Sequence, residues 1–320
     1  MELTNVYRQK KQSKIIEAAH TILNGNFPSL PSFFLPFNDE EETVFDHSNI
    51  ENHNDVPLEI SDDVSVQNLF QKLYKPQNNI SWEKFIRYGD FRFIECKNEK
   101  KALQSVLELL KYLPKKFAFD PIKDIQILTP MRKGILGSRN INTLIQSMFN
   151  PSTSENFDFV RNSSEKLILN DKVMQIVNNY DKEVFNGEIG IIKEVYPSEK
   201  KVVVEYKTFD VVSNELEQQD SKSLKEISKM VSYQNEELHE ITTAYSMTVH
   251  KSQGCEFPVV IMIIHPIHLM MLEKNLLYTG VTRSKTLTVL IGTSSAVTSA
   301  IRKTKSTKRF SFLKEKIASI

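Results

Sequence analysis

Cysteine is nearly absent from this chain: among 320 residues only Cys96 and Cys255 occur, and neither sits in a C-x-x-C pair. That excludes a disulfide framework and a cysteine-rich zinc site, and it fits a reducing, cytoplasmic compartment. No apolar run approaches the roughly 20 residues that a membrane helix needs. The opening MELTNVYRQKK has no apolar signal core. No Gly-Lys dipeptide occurs anywhere, so the Walker A phosphate loop, which needs Gly-Lys-Ser/Thr, is absent from these residues. Nor does any apolar run end on a metal-holding acidic pair, so no metal site is expected. Positive charge is missing from one long stretch. Between Lys14 and Lys72 there is no Lys or Arg, while ten acidic residues fall between Asp39 and Asp63.

What is present is ordinary for a soluble globular protein, with 40% hydrophobic and 25% charged residues and room for one large or two medium domains. The net charge of +1 conceals an asymmetry, because Arg302, Lys303, Lys305, Lys308, Arg309, Lys314 and Lys316 crowd the C-terminal end. An anionic partner should therefore prefer that side of the chain.

The pattern along the chain is α/β. Ser13 is placed to cap a helix carrying Ile15, Ile16, Ala19, Ile22 and Leu23, and Asn24-Gly25 stops it. Arg8 and Gln9 precede that N-terminus, where backbone N–H groups and the helix dipole favour an anion; taken alone, Arg8 also reads as a solvated loop residue. Residues 32–89 read as a long acidic insertion broken by prolines. FRFIE (Phe91 to Glu95) then alternates like a strand, and Leu103, Val106, Leu110 and Leu113 mark a helix expected to end at Pro114. DIQIL (Asp124 to Leu128) is a buried-type strand that delivers TPMRKGILGS at its carboxyl end, where α/β folds hold ligands. Thr129, Arg132 and Lys133 read there either as ligand contacts or as a polar turn. Ile141, Leu144, Ile145 and Met148 mark the next helix.

After Asn150-Pro151 the period changes to alternation. KLIL, KVMQIV, IGIIKEV and KVVVEY are short strands parted by turn residues, which predicts a small barrel inserted into the α/β domain. One of its turns, NNYDKEVFNGE (Asn178 to Glu188), combines amides with aromatics; it suits stacking on a base, or is only hairpin hardware. The polar stretch from Asp220 to Glu240 reads as helix-tolerant. TTAYSMTVHKSQGCE (Thr242 to Glu256) follows, then the apolar strand PVVIMII, a helix through Leu269, Leu272 and Leu276, and a second apolar strand, TLTVLIG. In that loop Thr248, His250, Lys251 and Ser252 form a donor-rich run suited to phosphate oxygens. Gly254 lets a ligand approach the backbone, Glu256 suits a sugar hydroxyl, and Arg283 ends the following helix. Each of these, taken singly, is more often plain surface chemistry.

Their order carries more. YRQ (Tyr7 to Gln9), LTPMRKGILG, VMQIVNNYDKEVFNGEIG, AYSMTVHKSQGCEFP and LLYTGVTRSK resemble, in sequence and spacing, the C-terminal half of RecD-like DNA helicases of superfamily 1, from about Glu2 to about Leu313. The resemblance implies a second RecA-like motor domain with an inserted Src-homology-3-like barrel. Residues 1–155 would begin the RecA-like domain, 156–238 form the barrel, and 239–320 complete the domain with a basic tail. It also implies that Arg8 and Arg283 reach the γ-phosphate of ATP. Gln9, Gln253, Gly254 and Glu256 would meet the nucleotide, and Thr248, His250, Ser252, Thr129 and Arg132 would grip single-stranded DNA. Asn179 and Phe185 would guide the strand. ATP and Mg²⁺ would then be shared with a first RecA-like domain, and the chain alone would lack ATPase activity. The alternative expectation is a non-enzymatic module that binds single-stranded DNA or a partner protein.

Overall fold

The computed structural model describes residues 13–28, 32–33, 89–149, 159–161, 165–212 and 223–303. Arg8 and Gln9, the acidic insertion beyond Phe33 and the tail beyond Lys303 lie outside the described residues.

A parallel sheet organises the α/β part. Its strands are β1 (Ser32–Phe33), β2 (Phe91–Glu95), β3 (Ile125–Thr129), β11 (Ser246–Thr248), β12 (Phe257–Ile264) and β13 (Ser284–Gly292), in the order β1-β2-β13-β12-β3-β11. Every neighbouring pair is parallel. Parallel strands need crossovers, and the helices of those crossovers cover both faces. On one face α2 (Glu99–Phe117) and α3 (Ser138–Phe149) pack on Val259, Ile261 and Ile263 of β12. On the other, α1 (Lys14–Leu23), α4 (Lys274–Val281) and α5 (Ser294–Arg302) pack on Val260, Met262 and Ile264. The alternation of side chains along one strand thus explains an unbroken apolar run: it is buried twice.

The caps are those that the residue types predict. Ser13 accepts from Ile15 N at 3.2 Å, and Asn98 accepts from Lys100 N at 2.8 Å and Lys101 N at 3.3 Å. Asn24 and Gly25, the latter at φ 81°, end α1. Three elements differ from expectation. Pro114 does not end α2; the helix runs on to Phe117 and stops at Ala118, which has φ 55°. Proline in a last turn forfeits one hydrogen bond, and the packing of Phe117 on the core holds the remaining turn in place. The helix expected from Leu269 is split into a 3₁₀ turn (Pro266–His268), an exposed bend, and the eight-residue α4. Within α1, Ile16 and Leu23 are left out of the core, which Ala18 enters instead.

The second unit is antiparallel, with strands β6 (Lys172–Gln175), β7 (Ile189–Tyr196), β8 (Lys201–Val212), β9 (Ser223–Tyr233) and β10 (Ile241–Thr243) in the order β10-β6-β7-β8-β9. A hairpin of β4 (Phe159–Arg161) and β5 (Lys166–Ile168) lies beside it. This is the inserted small barrel, with Val173, Ile192, Val204, Tyr206 and Tyr233 in its core. Within the stretch from Asp220 to Glu240 read as helix-tolerant, Ser223–Tyr233 is β9 and Leu238–Glu240 a 3₁₀ turn. Strand β9 pairs with β8 from Val202↔Tyr233 to Val212↔Ser223, and this non-local ladder overrides a polar composition.

Barrel and sheet meet at a seam of buried polar contacts, because only Ala244 and Tyr245 separate β10 from β11. Asn142 donates to Thr243 O at 2.9 Å and accepts from Ser246 N at 2.6 Å. Gln126 Nε2 donates to Ala244 O and Tyr245 O, each at 3.1 Å. Lys172, 1% exposed, donates from Nζ to Ile125 O at 3.1 Å and lies 5.6 Å from the centre of the Phe257 ring.

Two predictions follow from this packing. A Cβ on Gly292, which has φ 151°, would lie 1.7 Å from Ile264 O. Gly292→Ala should therefore cost about 3 kcal/mol of stability, read as a lowered urea midpoint; an unchanged midpoint would contradict the strand packing. Burial holds the Lys172 amine down at about 7, against 10.5 for an exposed lysine. Between those values the unfolded chain binds a proton that the folded chain does not, so this residue makes stability rise with pH across that window. Lys172→Met should be more stable than the parent at about pH 6, with the difference shrinking toward about pH 10; urea unfolding across the series reads it.

Candidate functional site

The loop after β3 is closed on itself. The Thr129 hydroxyl, fully buried, donates to Leu136 O at 2.7 Å. Gly137 N donates to Gly134 O at 2.9 Å, Ser138 N to Met131 O at 3.0 Å, and Arg139 N to Arg132 O at 3.1 Å. Gly137 is required, since a Cβ there would lie 2.3 Å from Lys133 O. Thr129 therefore shapes the turn, and Arg132 and Lys133 stand exposed on it.

Beside it, β11 ends at Thr248, and residues Val249–Ser252 form a 3₁₀ turn. Ser252 is fully buried and its hydroxyl donates to Val249 O at 2.7 Å, so it too is spent inside its loop. Thr248 is half-buried and its hydroxyl does not cap the turn, while His250 is exposed. Lys251 is half-buried; desolvation and then the neighbouring Arg132 push its amine below the usual lysine range, and Glu165 opposes them. Arg132, Arg139, Glu165, Thr242, Thr248 and Lys251 line a cleft of about 20 Å³ between sheet and barrel. That volume is too small to enclose a nucleotide; its lining sets Arg132, Arg139 and Lys251 beside the Glu165 carboxylate.

Glu165 was not visible as a site residue in the sequence. Its carboxylate accepts from Thr242 Oγ1 at 2.9 Å, Thr243 N at 2.8 Å and Thr243 Oγ1 at 2.9 Å. It thus binds the β4–β5 hairpin to the segment that leads into β11. Only the long-range pairing that places β10 next to Glu165 reveals this role.

A second group forms around residues 253–256. Gly254 has φ 90° and no atom within 4 Å of a built Cβ, so glycine serves the backbone conformation there, not packing. Gln253 is exposed, and Glu256 pairs with Lys285 at 3.1 Å. Arg283, past the end of α4, donates from Nε to Thr279 O at 3.1 Å, from Nη1 to Cys255 O at 3.2 Å and from Nη2 to Thr282 Oγ1 at 3.4 Å. The structure thus brings Arg283 against the Gly254–Glu256 loop. The N-terminus of α1 differs from expectation: its anion is internal, since Asp90 accepts from Lys14 N at 2.8 Å and from the Ser13 hydroxyl.

In the barrel turn the amides build the structure. Asn179 Nδ2 donates to Glu240 at 3.0 Å, its Oδ1 accepts from Lys182 N at 3.0 Å, and Asn178 Oδ1 accepts from Asn186 N at 2.9 Å. The aromatics are presented outward. Phe185 is 42% exposed and Tyr180 73%, with ring centroids 5.9 Å apart at an interplanar angle of 74°. Tyr180 is the more open half of the pair.

Comparison with known proteins matches the same two parts. Residues 141–206 match the SH3 domain of ATP-dependent RecD-like DNA helicases, and residues 243–291 match the UvrD-like helicase C-terminal domain. An ATP-dependent RecD2 DNA helicase of Deinococcus radiodurans is 31% identical over 172 residues, 54% of this chain and 20% of the relative. The RecD subunit of the RecBCD enzyme of Buchnera aphidicola (subsp. Schizaphis graminum) is 26% identical over 226 residues, 69% of this chain and 32% of the relative. Among solved structures, a Bacteroides Pif1 helicase in complex with ADP-AlF3 and ssDNA aligns at a TM-score of 0.41 and 14% identity, covering 100% of this chain and 56% of that one. The chain spans about a fifth to a third of the length of these curated relatives. With a RecA-like parallel sheet, an SH3-type barrel inserted before β11, and both domain models matched in that order, the chain is similar to the C-terminal portion of RecD-like DNA helicases.

Proposed function

We propose that this chain supplies one wall of an ATPase cleft and part of a single-stranded DNA track, for ATP-driven unwinding in the 5′ to 3′ direction. The observation that carries this reading is the short segment from Thr248 to Glu256. It has exposed or half-buried donors at one end and a loop braced by Arg283 at the other.

On the DNA side, Arg132, Thr248, His250 and Lys251 offer charge and hydrogen bonds to backbone phosphates. Thr129 and Ser252 act there by holding their loops in shape. Such contacts carry no sequence information, so binding is general and salt-sensitive. Tyr180 and Phe185 add a stacking surface, with Asn179 positioning the turn.

On the nucleotide side, Gln253, Gly254 and Glu256 are proposed to meet the nucleotide. Arg283 turns from the Cys255 and Thr279 carbonyls toward phosphate, and Arg8 and Gln9 are proposed to join it. Bound ATP with Mg²⁺ supplies the phosphoryl group; the guanidinium meets charge that develops on it. No Gly-Lys dipeptide is present, and we assign the phosphate loop to a first RecA-like domain that would complete the cleft. A second reading, in which the chain only binds single-stranded DNA or a partner, is favoured by the outward aromatic pair.

Three outcomes test these readings. Purified alone, the 320-residue chain should bind oligo-dT yet show no DNA-stimulated ATP hydrolysis; turnover by the isolated chain would refute the shared cleft. With a complementing first domain, Arg283→Ala should lower turnover by about 10³-fold or more while DNA affinity changes less than about twofold. If turnover is unaffected, the binding-only reading stands instead. Lys251→Ala should weaken oligo-dT binding and reduce the slope of log K against log salt by about 0.7, measured by fluorescence anisotropy.

A further inference from the structure

The aromatic turn and the Arg283 loop touch each other. The turn ends at Gly187, at φ 101°, whose N–H donates to Gln175 O at 2.9 Å. Its carbonyl faces outward to the Cys255 thiol, which donates to it at 3.5 Å. Cys255 is half-buried against the core that Phe257 and Val281 help to form. Its own carbonyl accepts from Arg283 Nη1 at 3.2 Å. From the Phe185 ring to the Arg283 guanidinium the path is therefore two residues of turn, one contact, one residue and one hydrogen bond.

Two features make this path stiff. The turn is anchored on its barrel side by Asn179 to Glu240, and by Lys182, which donates to Ser232 O at 2.7 Å and pairs with Glu237 at 2.6 Å. On the sheet side, Phe257 N donates to Arg283 O at 2.9 Å, so the backbone of the arginine is tied to the strand that follows Cys255. A shift of Gly187 thus has little slack to be absorbed in before it reaches Cys255.

We infer that Cys255 is a positioning residue that links the aromatic turn of the barrel to Arg283, so that stacking of a single strand on Tyr180 and Phe185 sets the placement of the arginine. This rests on the DNA reading proposed above. The coupling needs no movement of the whole barrel; a change in the Gly187–Cys255 contact is enough to alter the carbonyl that holds Nη1. A thiol is a weak donor, so close packing of sulfur against the carbonyl contributes along with the hydrogen bond.

The thiol is also the reporter. Cys96 is 3% exposed, so the two cysteines are separable by the peptide that carries the label. The test is alkylation of the full chain by iodoacetamide, with the rate read at Cys255 by mass spectrometry. A saturating oligo-dT of about 15 nucleotides should slow labelling by about threefold or more. Tyr180→Ala/Phe185→Ala should remove that protection, even at DNA concentrations that saturate the variant.

Burial raises the Cys255 thiol above its usual range, and the cations Arg283, from behind α4, and Lys172, from β6, oppose that rise. Since the thiolate is the nucleophile, Arg283→Gln should move the midpoint of the labelling rate against pH upward, with DNA absent. Three results overturn the inference: a Cys255 rate unchanged or raised under saturating DNA, protection that survives loss of both aromatics, or a midpoint that Arg283→Gln leaves in place. Absence of any oligo-dT binding by anisotropy is a separate failure, because it removes the DNA reading on which the link depends.

Discussion

The structure depends on how two units of different periodicity meet where only two residues, Ala244 and Tyr245, part β10 from β11. Such a joint is determined only if its backbone groups and side chains are satisfied on both sides. Asp171 is the centre of that arrangement. Fully buried, it accepts from Tyr245 Oη at 2.8 Å, Gln146 Nε2 at 2.6 Å and Ile168 N at 2.8 Å. Burial and the adjacent carboxylate push the Tyr245 phenol upward, so it remains a donor across physiological pH. Removing a partner from such a set costs far more than the set contributes relative to an apolar replacement, which is why it orients the barrel.

The functional layout follows from that joint. The chain leaves the barrel, forms the edge strand β11, and turns back in eight residues to start β12 one strand beyond its neighbour β3. In doing so it passes the Arg132–Lys251 cleft and then the Arg283 loop. One short segment therefore borders both of these, and the barrel turn contacts it at Cys255. Rigid strands hold each end, and the donors stand on loops with freedom to adjust.

Much of this was legible in the residues. Ser13, Asn24-Gly25, the FRFIE strand and the apolar runs before and after α4 form the elements their patterns predict, because local capping and a doubly buried strand leave strong signals. Pro114 and β9 were misread for the same reason in opposite directions. In each, local preference was outweighed by contacts distant in sequence: the packing of Phe117 in one, the ladder to β8 in the other. Site residues divide similarly. Arg132, His250 and Gly254 stand exposed, whereas Thr129, Ser252 and Asn179 direct their polar groups inward, toward Leu136, Val249 and Glu240.

The sequence alone determined the class of most segments, the order of the motifs and hence the resemblance to a RecD-like helicase, because periodicity, caps and motif spacing are local properties of the chain. Which side chains remain available was decided by tertiary structure. A threonine or serine hydroxyl binds phosphate or braces its own loop according to whether a carbonyl lies within about 3 Å, and only the folded chain brings that carbonyl there. The same holds for Glu165, for Tyr180 and for the meeting of Gly187 with Cys255, 68 residues apart in sequence.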